Sequence, residues 1–273
     1  MKANMRLRNN LPLLSVIVRT LGSDIELLRK ALSSVFKNSY SNIEVVIVFQ
    51  GIDKALFEAV KNDINLQWPN KAVHFIQNKT INDERSKNLN MGLEAARGEY
   101  FAFLDDDDYV APTHYENLIS AISREKTSMA FCLAQVVDEN DKIKAELFDG
   151  RFIDKLSFYK DNFITIHSFV VTGNAIERLN LKFDERLQLA EDYLFLLPLY
   201  MNEAVSFVPE RTSFYRIVSE ESQSFTSYEN SGKRAQQYEL LKNLKRRYKP
   251  SFFQKLNLKI RRLRGLVYKV EEE

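Results

Sequence analysis

The sequence predicts an α/β sandwich built around a mostly parallel sheet, followed by a basic helical appendage. Short β-branched apolar runs alternate with segments of helical periodicity, a pattern typical of strands covered by helices. The first two apolar runs and the helix between them form a βαβ unit, which is expected to be parallel and right-handed. Charge is distributed unevenly, because residues 1–232 carry a net −7 and residues 233–269 a net +12. The hydrophobic content of 45% in 273 residues is enough for a substantial core.

The first two strands and one helix are predicted before residue 50. The β-branched run "LSVIVRT", Leu14–Thr20, indicates a buried strand. Ser23 and Glu26 have the spacing of a capping box, which predicts a helix start. "IEVVIVF", Ile43–Phe49, indicates the second buried strand. The apolar face of the intervening helix is predicted at Leu28, Ala31, Leu32 and Val35.

A second strand–helix–strand segment precedes an acidic run. Ala72–Gln77 indicates the third strand and Glu99–Leu104 the fourth. Gly92 is expected to let the intervening helix approach the sheet closely, and Gly98 is the predicted C-terminal stop of that helix. The helix carries an apolar stripe at Leu89, Gly92, Leu93 and Ala96.

The pattern changes from about residue 130 onward. Two strands flank a polar "DEND" turn, and a strand–turn–helix segment, an apolar helix and a further strand-like segment follow. We predict one domain over residues 1–228, with halves at about 12–128 and 129–228, and an appendage at 229–273. The single cysteine, Cys132, excludes an internal disulfide framework and is expected to lie in the core.

Four adjacent aspartates, Asp105–Asp108, follow the fourth strand directly. Two carboxylates about 4 Å apart repel by roughly 4 kcal/mol at an effective dielectric constant near 20. In parallel sheets ligands bind beyond the carboxyl ends of the strands, which places Thr20, Gln50, the Gln77–Arg85 loop and the aspartates on one rim. A solvated acidic turn or a helix N-cap cluster is the alternative interpretation.

A divalent cation is the expected counter-charge at this rim. Extended-chain alternation puts Asp105 and Asp107 on one side and Asp106 and Asp108 on the other. One pair is then available to a cation, and the other to brace the loop. Oxygen ligands favour Mg²⁺ or Mn²⁺ over zinc, and Mg²⁺ takes one or two protein carboxylates together with water and phosphate oxygens.

The stretches "LSVIVRT", "IEVVIVFQG", "RSKNLNMGLEAARGEYFAFLDDDD" and "AEDYLFLL" together resemble the family-2 glycosyltransferases of the GT-A fold. The resemblance covers roughly residues 12–225 and rests on the order and spacing of these motifs. It implies a Rossmann-like α/β/α sandwich and an inverting transferase. Such an enzyme moves a sugar from a nucleotide-sugar to an acceptor hydroxyl, helped by Mg²⁺ or Mn²⁺.

The resemblance also implies roles for particular residues. The family's DxD motif falls on Asp105, Asp106 and Asp107, of which the first two contact the donor and Asp107, with Asp105, holds the metal. Its Glu-Asp motif falls on Glu191 and Asp192; Asp192 is the expected catalytic base, and Glu191 the fallback base or an acceptor ligand. The positions expected to border the nucleotide are Arg19, Thr20, Gln50, Arg85 and Asn90.

The chain departs from the family pattern at two of these positions. Phe49-Gln50 replaces a common pair of aspartates after the second strand, which leaves the nucleobase open. Arg19 stands where a proline is common, and either adds a phosphate contact or is simply tolerated. Arg216 stands where family members often carry a Tyr-Arg before a serine-rich loop; the loop is expected to close over the diphosphate, and the alternative is that Arg216 is a simple surface arginine. His114 follows a proline turn and is expected at the surface.

The basic tail predicts two amphipathic helices separated by Pro250. Two interpretations remain open: binding to an anionic membrane surface, or packing on the domain with a solvated basic face. Nucleic-acid binding is disfavoured by the acidic body. The predicted apolar faces are Gln237, Leu240, Leu241, Leu244 and Tyr248 in the first helix, and Phe253, Leu256, Ile260, Leu263 and Val267 in the second.

Three functions are compatible with the sequence. The first is a glycosyltransferase that acts on a surface glycan or lipid-linked acceptor. The others are a sugar-1-phosphate nucleotidyltransferase and a non-catalytic sugar- or lipid-binding module. The N-terminal segment is interpreted as leading into the first strand rather than as a signal peptide, so the expected location is the cytoplasm or the inner face of the membrane.

Overall fold

A computed structural model describes residues 11–146, 151–217 and 232–270 of the chain. The strands are β1 Leu14–Thr20, β2 Ile43–Gln50, β3 Ala72–Asn78, β4 Tyr100–Asp105, β5 Tyr109–Val110, β6 Met129–Phe131, β7 Ala134–Val137, β8 Ile143–Glu146, β9 Phe169–Thr172, β10 Val205–Phe207 and β11 Ser213–Arg216. The helices are α1 Ile25–Phe36, α2 Lys54–Gln67, α3 Arg85–Ala95, α4 His114–Glu125, α5 Lys155–Lys160, α6 Gly173–Leu179, α7 Glu191–Asn202, α8 Gly232–Lys245 and α9 Phe252–Leu263.

Seven strands form the central sheet in the order β10-β6-β9-β4-β1-β2-β3. Every neighbouring pair is parallel except the two pairs that β9 makes with β4 and β6. A smaller sheet has the order β5-β11-β7-β8. The predicted α/β sandwich with a mostly parallel sheet is confirmed.

The core lies on both faces of the central sheet because successive strand residues point to opposite sides. In β1, Val16 and Val18 pack with α1, α2 and α4, whereas Ile17 packs with α3 and α7 on the other face. The predicted face of α1 is confirmed, since its buried residues are Leu28, Ala31, Leu32 and Val35. Cys132 is buried in the core, as predicted.

Two predictions about the ends of helices are wrong. Asp24, rather than Ser23, caps α1, because its carboxylate accepts from the backbone N–H groups of Glu26 and Leu27. Helix α3 ends at Ala95, and Gly98 instead allows close approach to the backbone nitrogen of Ser15, 2.7 Å from where a Cβ would lie.

His114, expected at the surface, is fully buried. Its Nδ1 lies 2.7 Å from Thr212 Oγ1, and burial lowers the pKa of His114 to about 3. The proline turn before it leads into α4 rather than into solvent, because the apolar face of α4 draws the helix start onto the sheet.

Gly92 lets α3 approach the sheet, as predicted, because an added Cβ would collide with Ile17 of β1. We expect Gly92→Ala to destabilise the protein by about 1–3 kcal/mol through overpacking, despite alanine's better helix propensity. Denaturant unfolding measures the change. Gly232→Ala is the matched control, since nothing lies within 4 Å of that Cβ. Equal effects of the two substitutions would contradict the close-approach explanation.

The tail contains the two predicted helices, α8 and α9, with Pro250 between them. They differ in how they contact the body. Leu241 of α8 is buried, and Leu240, Leu244 and Tyr248 pack against the main core. By contrast, the apolar residues of α9 face outward. Among the described residues, no helix is both long and apolar enough to cross a bilayer.

Candidate active site

The parallel strands end side by side and bring the polar rim together. Arg19 of β1 and Asp105 of β4 are register partners across the sheet. Arg19 Nε and Nη2 donate to the two carboxylate oxygens of Asp105 at 2.5 and 2.8 Å. Although burial acts in the opposite direction, Arg19 holds the pKa of Asp105 below its ordinary value.

Arg19 also joins the aspartate corner to the start of α7. Its Nη1 donates to Glu191 Oε1 at 3.0 Å. Glu191 is buried, so this contact neutralises a carboxylate that water cannot reach. The register of β1 and β4 thus places one guanidinium between two carboxylates that lie 86 residues apart in the chain.

Asp192 lies beside this ion-pair network. Its Oδ1 accepts from the backbone N–H of Tyr193 at 2.7 Å, and Asn162 Nδ2 donates to Oδ2 at 3.3 Å. Burial, and then the charge of Glu191, raise the pKa of Asp192 to about 7. The residue before the pair, Ala190, has a left-handed φ of 57°, a backbone strain that occurs often at functional sites. A carboxylate with this pKa is suited to accept a proton near neutral pH.

The four aspartates form a turn rather than a continued strand, so the predicted pairing of Asp105 with Asp107 holds but the predicted side of Asp108 is wrong. The Asp108 backbone N–H donates to Asp105 O, which brings Asp108 back to the side of Asp105 and Asp107. One carboxylate oxygen from each of these three residues lies within 4.8 Å of the others. Asp106 instead accepts from Thr20 Oγ1 at 2.5 Å, and burial raises the pKa of Asp106 to about 6.

Asp108 is a member of this cluster that the sequence did not single out from its neighbours. Its Oδ1 accepts from the Arg216 backbone N–H at 2.9 Å, and its buried Oδ2 lies 3.0 Å from His167 Nδ1. The repeated aspartate letters gave no signal for this position, because the turn that separates it from Asp106 is a tertiary feature.

Arg216, expected near the diphosphate or at the surface, is buried. Its guanidinium donates to the backbone oxygens of Asp107 and Glu139 and to the Asp141 carboxylate, at 2.8–3.2 Å. Arg216 therefore supports the backbone of the aspartate turn. The serine-rich loop that follows Arg216 in the sequence lies outside the described residues, as do residues 1–10.

The β3–α3 loop places Arg85 at the rim. Arg85 forms two hydrogen bonds with Asp83, at 3.0 and 3.2 Å, and both residues line a cleft that also contains Lys87, Glu185 and Leu187. Burial and the charge of Arg19 act to lower the pKa of Arg85, but Glu191 and Asp83 hold it above its ordinary value. The cleft thus presents a guanidinium at the start of a helix, where anions bind readily.

Gln50 and Asn90 form hydrogen bonds with other residues of the chain. Gln50 Oε1 accepts from the Glu84 backbone N–H at 3.2 Å and from Asn88 Nδ2 at 2.7 Å, which ties β2 to the start of α3. The buried Asn90 donates to Phe183 O at 3.0 Å and accepts from the Phe183 N–H at 2.9 Å.

Helix α3 therefore holds the segment that leads to Glu191 and Asp192. Ser86 Oγ adds a third contact by donating to Leu187 O at 2.8 Å. The predicted apolar stripe of α3 packs on the core, since Leu89 is buried and Leu93 and Ala96 contact the cluster, and the polar residues Ser86 and Asn90 are buried beside it.

The model of the family described as "Glycosyl transferase family 2" matches residues 15–176. The chain belongs to this family. The match includes the strands β1 to β4 of the central sheet and the aspartate turn. As a family-2 glycosyltransferase, the chain is an enzyme that transfers sugars, and neither the nucleotidyltransferase nor the non-catalytic alternative is supported.

Relatives of this glycosyltransferase are distant. An uncharacterized glycosyltransferase of Methanocaldococcus jannaschii is 27% identical and aligns with 70% of this chain and 66% of its own length. The GalNAc(5)-diNAcBac-PP-undecaprenol beta-1,3-glucosyltransferase of Campylobacter jejuni is 25% identical over 75% of this chain and 62% of its own length. The chain thus spans about two thirds of these relatives.

Solved structures support the GT-A fold. S. aureus TarS 1–349, crystallised in complex with UDP-GlcNAc, has a TM-score of 0.67 and 21% sequence identity. The similarity covers 85% of this glycosyltransferase and 65% of the TarS chain. At this identity the comparison establishes the shared fold.

Proposed function

We propose that this family-2 glycosyltransferase is an inverting enzyme that transfers a sugar from a nucleoside diphosphate to an acceptor hydroxyl. The observation that carries the proposal is the position of Asp192, whose raised pKa suits a base, next to Glu191, which Arg19 connects to the carboxylate turn. A base and an acidic cation site at one rim are what a metal-assisted displacement requires.

The aspartate turn fits a divalent cation. Its donor atoms are carboxylate oxygens, which Mg²⁺ and Mn²⁺ prefer, and three of the residues offer oxygens within 4.8 Å of one another. Asp108 Oδ2 is buried and lies 3.0 Å from His167 Nδ1. We assign the metal to Asp107 and Asp105, with Asp108 as an added ligand. When bound, the cation would neutralise negative charge on the leaving diphosphate.

Asp192 is assigned the role of general base. Its contacts with Asn162 and the Tyr193 N–H hold the carboxylate in place, so that it can accept the proton of the acceptor hydroxyl. Attack by that hydroxyl on the face of the sugar opposite the diphosphate inverts the anomeric carbon without an enzyme nucleophile. Glu191 is an unsuitable base because its carboxylate is already paired with Arg19.

The remaining rim residues are assigned to the donor. Thr20 and Asp106 lie in contact with each other beside the turn and are available to the ribose or sugar. Arg85 is proposed to bind phosphate. Gln50 and Asn90 are proposed to act indirectly, by fixing α3 and the segment before Asp192.

The two halves of the domain divide the substrates between them in this proposal. Residues 12–128 supply the donor-side rim, and residues 129–228 supply Asp192 and Asn162 on the acceptor side. We propose a surface glycan or lipid-linked saccharide as the acceptor, with the enzyme acting on the inner face of the membrane. The undecaprenol-linked substrate in the name of the C. jejuni relative supports this class.

Thermal unfolding with nucleotide-sugars tests the donor site. We expect a UDP-, GDP- or dTDP-sugar with Mn²⁺ to raise the melting temperature in a concentration-dependent way, as mass action requires. Asp107→Ala should abolish the Mn²⁺-dependent part of the shift, because the exposed ligand of the turn is gone. Glu94→Ala, which removes an exposed acid of α3, is the matched control. A shift that is equal with and without Mn²⁺ would contradict the metal assignment.

A further inference from the structure

Helix α9 exposes its apolar face to solvent, unlike the neighbouring α8. Phe252 and Phe253 are 73% and 79% exposed, and Leu263 is 88% exposed. Leu256 and Ile260 lie between them and are also exposed. At 100° per residue these five side chains fall within an arc of about 100°. They form one contiguous apolar stripe, hereafter the α9 stripe.

The opposite face of α9 is attached to the body, so the outward direction of the stripe is fixed. Arg262 donates to both carboxylate oxygens of the buried Asp154, at 2.6 and 2.7 Å. Lys255 and Leu258 on the same side are partly covered. The helix start is fixed by a capping box in which Ser251 and Gln254 exchange hydrogen bonds.

Basic residues flank the α9 stripe. Helical geometry places Lys259 at one margin and Arg264 at the other. The sequence from residue 240 to residue 270 contains no aspartate or glutamate. This segment therefore combines exposed aromatic and aliphatic groups with positive charge and itself contributes no acidic residue.

We propose that α9 docks the enzyme on an anionic lipid bilayer, with the α9 stripe at the acyl boundary and the basic residues among the headgroups. Contiguous exposed apolar surface on a soluble domain marks an interaction site. An interfacial helix requires a basic polar margin of this kind. A second copy of the chain is a poorer occupant, because the two basic margins would repel each other. The contact of Arg262 with Asp154 holds α9 on the domain but leaves the α9 stripe uncovered.

Vesicle co-sedimentation of the full chain tests this docking without donor or acceptor, so its outcome is independent of the proposed transfer chemistry. We expect binding to vesicles of phosphatidylcholine with one quarter phosphatidylglycerol, and at least about tenfold weaker binding to pure phosphatidylcholine. Phe252→Ser/Phe253→Ser should abolish binding. Lys259→Glu/Arg264→Glu should weaken binding by about 25-fold or more, from about fivefold per basic residue.

Matched measurements distinguish docking through α9 from non-specific hydrophobic binding to vesicles. Leu66→Ser removes a leucine of α2 that is 84% exposed and should bind vesicles like the wild type. In a Trp68→Phe background, Phe253→Trp should show a blue-shifted emission when anionic vesicles are added. Equal binding of the Phe252→Ser/Phe253→Ser variant and the wild type would overturn the proposal. So would equal binding to neutral and anionic vesicles, or a wild-type dimer that this double variant converts to monomer.

Discussion

Asp192→Asn is expected to lower the turnover of sugar transfer by about 10²–10⁴-fold, while the donor-induced rise in melting temperature stays unchanged. The amide keeps the shape of the carboxylate and can still contact Asn162, but it cannot accept the proton of the acceptor hydroxyl. Steady-state transfer and thermal shift, measured on the same preparation, check the two halves of the prediction. Asp63→Asn, at a surface ion pair with Arg29, is the matched control.

The same variant is expected to be more stable than the wild type at neutral pH. The pKa of Asp192 in the folded protein is about 7, above its unfolded value near 4. The folded wild type therefore loses stability as pH rises between these values, because ionisation costs more in the buried site than in water.

Asparagine does not ionise, so the variant should gain stability over the wild type between about pH 4 and 7. Its free energy of unfolding should exceed that of the wild type by about 1–3 kcal/mol above pH 7. Unfolding curves at pH 5 and pH 8 measure it. In the wild type, kcat/KM should rise with pH to a plateau above about pH 7, as the base ionises. A variant that is less stable at pH 8, or transfer within twofold of wild type, would remove Asp192 from its assigned role.

Arg19→Met is expected to destabilise the protein by about 3–5 kcal/mol and to abolish transfer. Arg19 is the common partner of Asp105 and Glu191, and its loss leaves both carboxylates without their counter-charge in a largely water-excluded site. Methionine preserves most of the side-chain volume, so the loss reflects charge more than packing. Denaturant unfolding at pH 7 gives the magnitude.

A second substitution distinguishes electrostatics from packing at this position. Glu191→Gln in the Arg19→Met background should restore part of the lost stability, because it removes one unpaired charge. Arg178→Met, at the exposed pair with Glu203, should cost no more than about 1 kcal/mol. Similar losses of stability for Arg19→Met and Arg178→Met would show that Arg19 contributes no more than an ordinary surface ion pair does.

Local sequence patterns predicted most of the sheet and little of the site's internal geometry. The strands β1 to β4 follow from continuous β-branched runs, and the observed ends differ from the predicted ends by at most one residue. The position of the aspartate turn follows from the end of β4. The side assigned to Asp108 was wrong because a period of two holds only while the chain stays extended, and the chain turns after Asp105.

The roles of Arg19 and Asn90 depend on contacts between distant parts of the chain. Arg19 meets Glu191 across 172 residues, and Asn90 meets Phe183 across 93. A single sequence carries no local signal for such contacts. The predicted apolar residues of α3 do pack on the core, but its buried polar residues were not predicted, because only the folded chain supplies their hydrogen-bond partners.

By itself, the sequence determined the α/β class, the succession of the first four strands along the chain, the rim on which the acidic residues lie and the presence of two helices in the tail. It could do so because periodicity and strand ends are properties of neighbouring residues. The tertiary structure decided that Arg19 neutralises two carboxylates, that Asp108 joins the acidic cluster and that the apolar face of α9 points to solvent. Periodicity defines which side chains share a face, but only the packing of distant segments determines what covers that face.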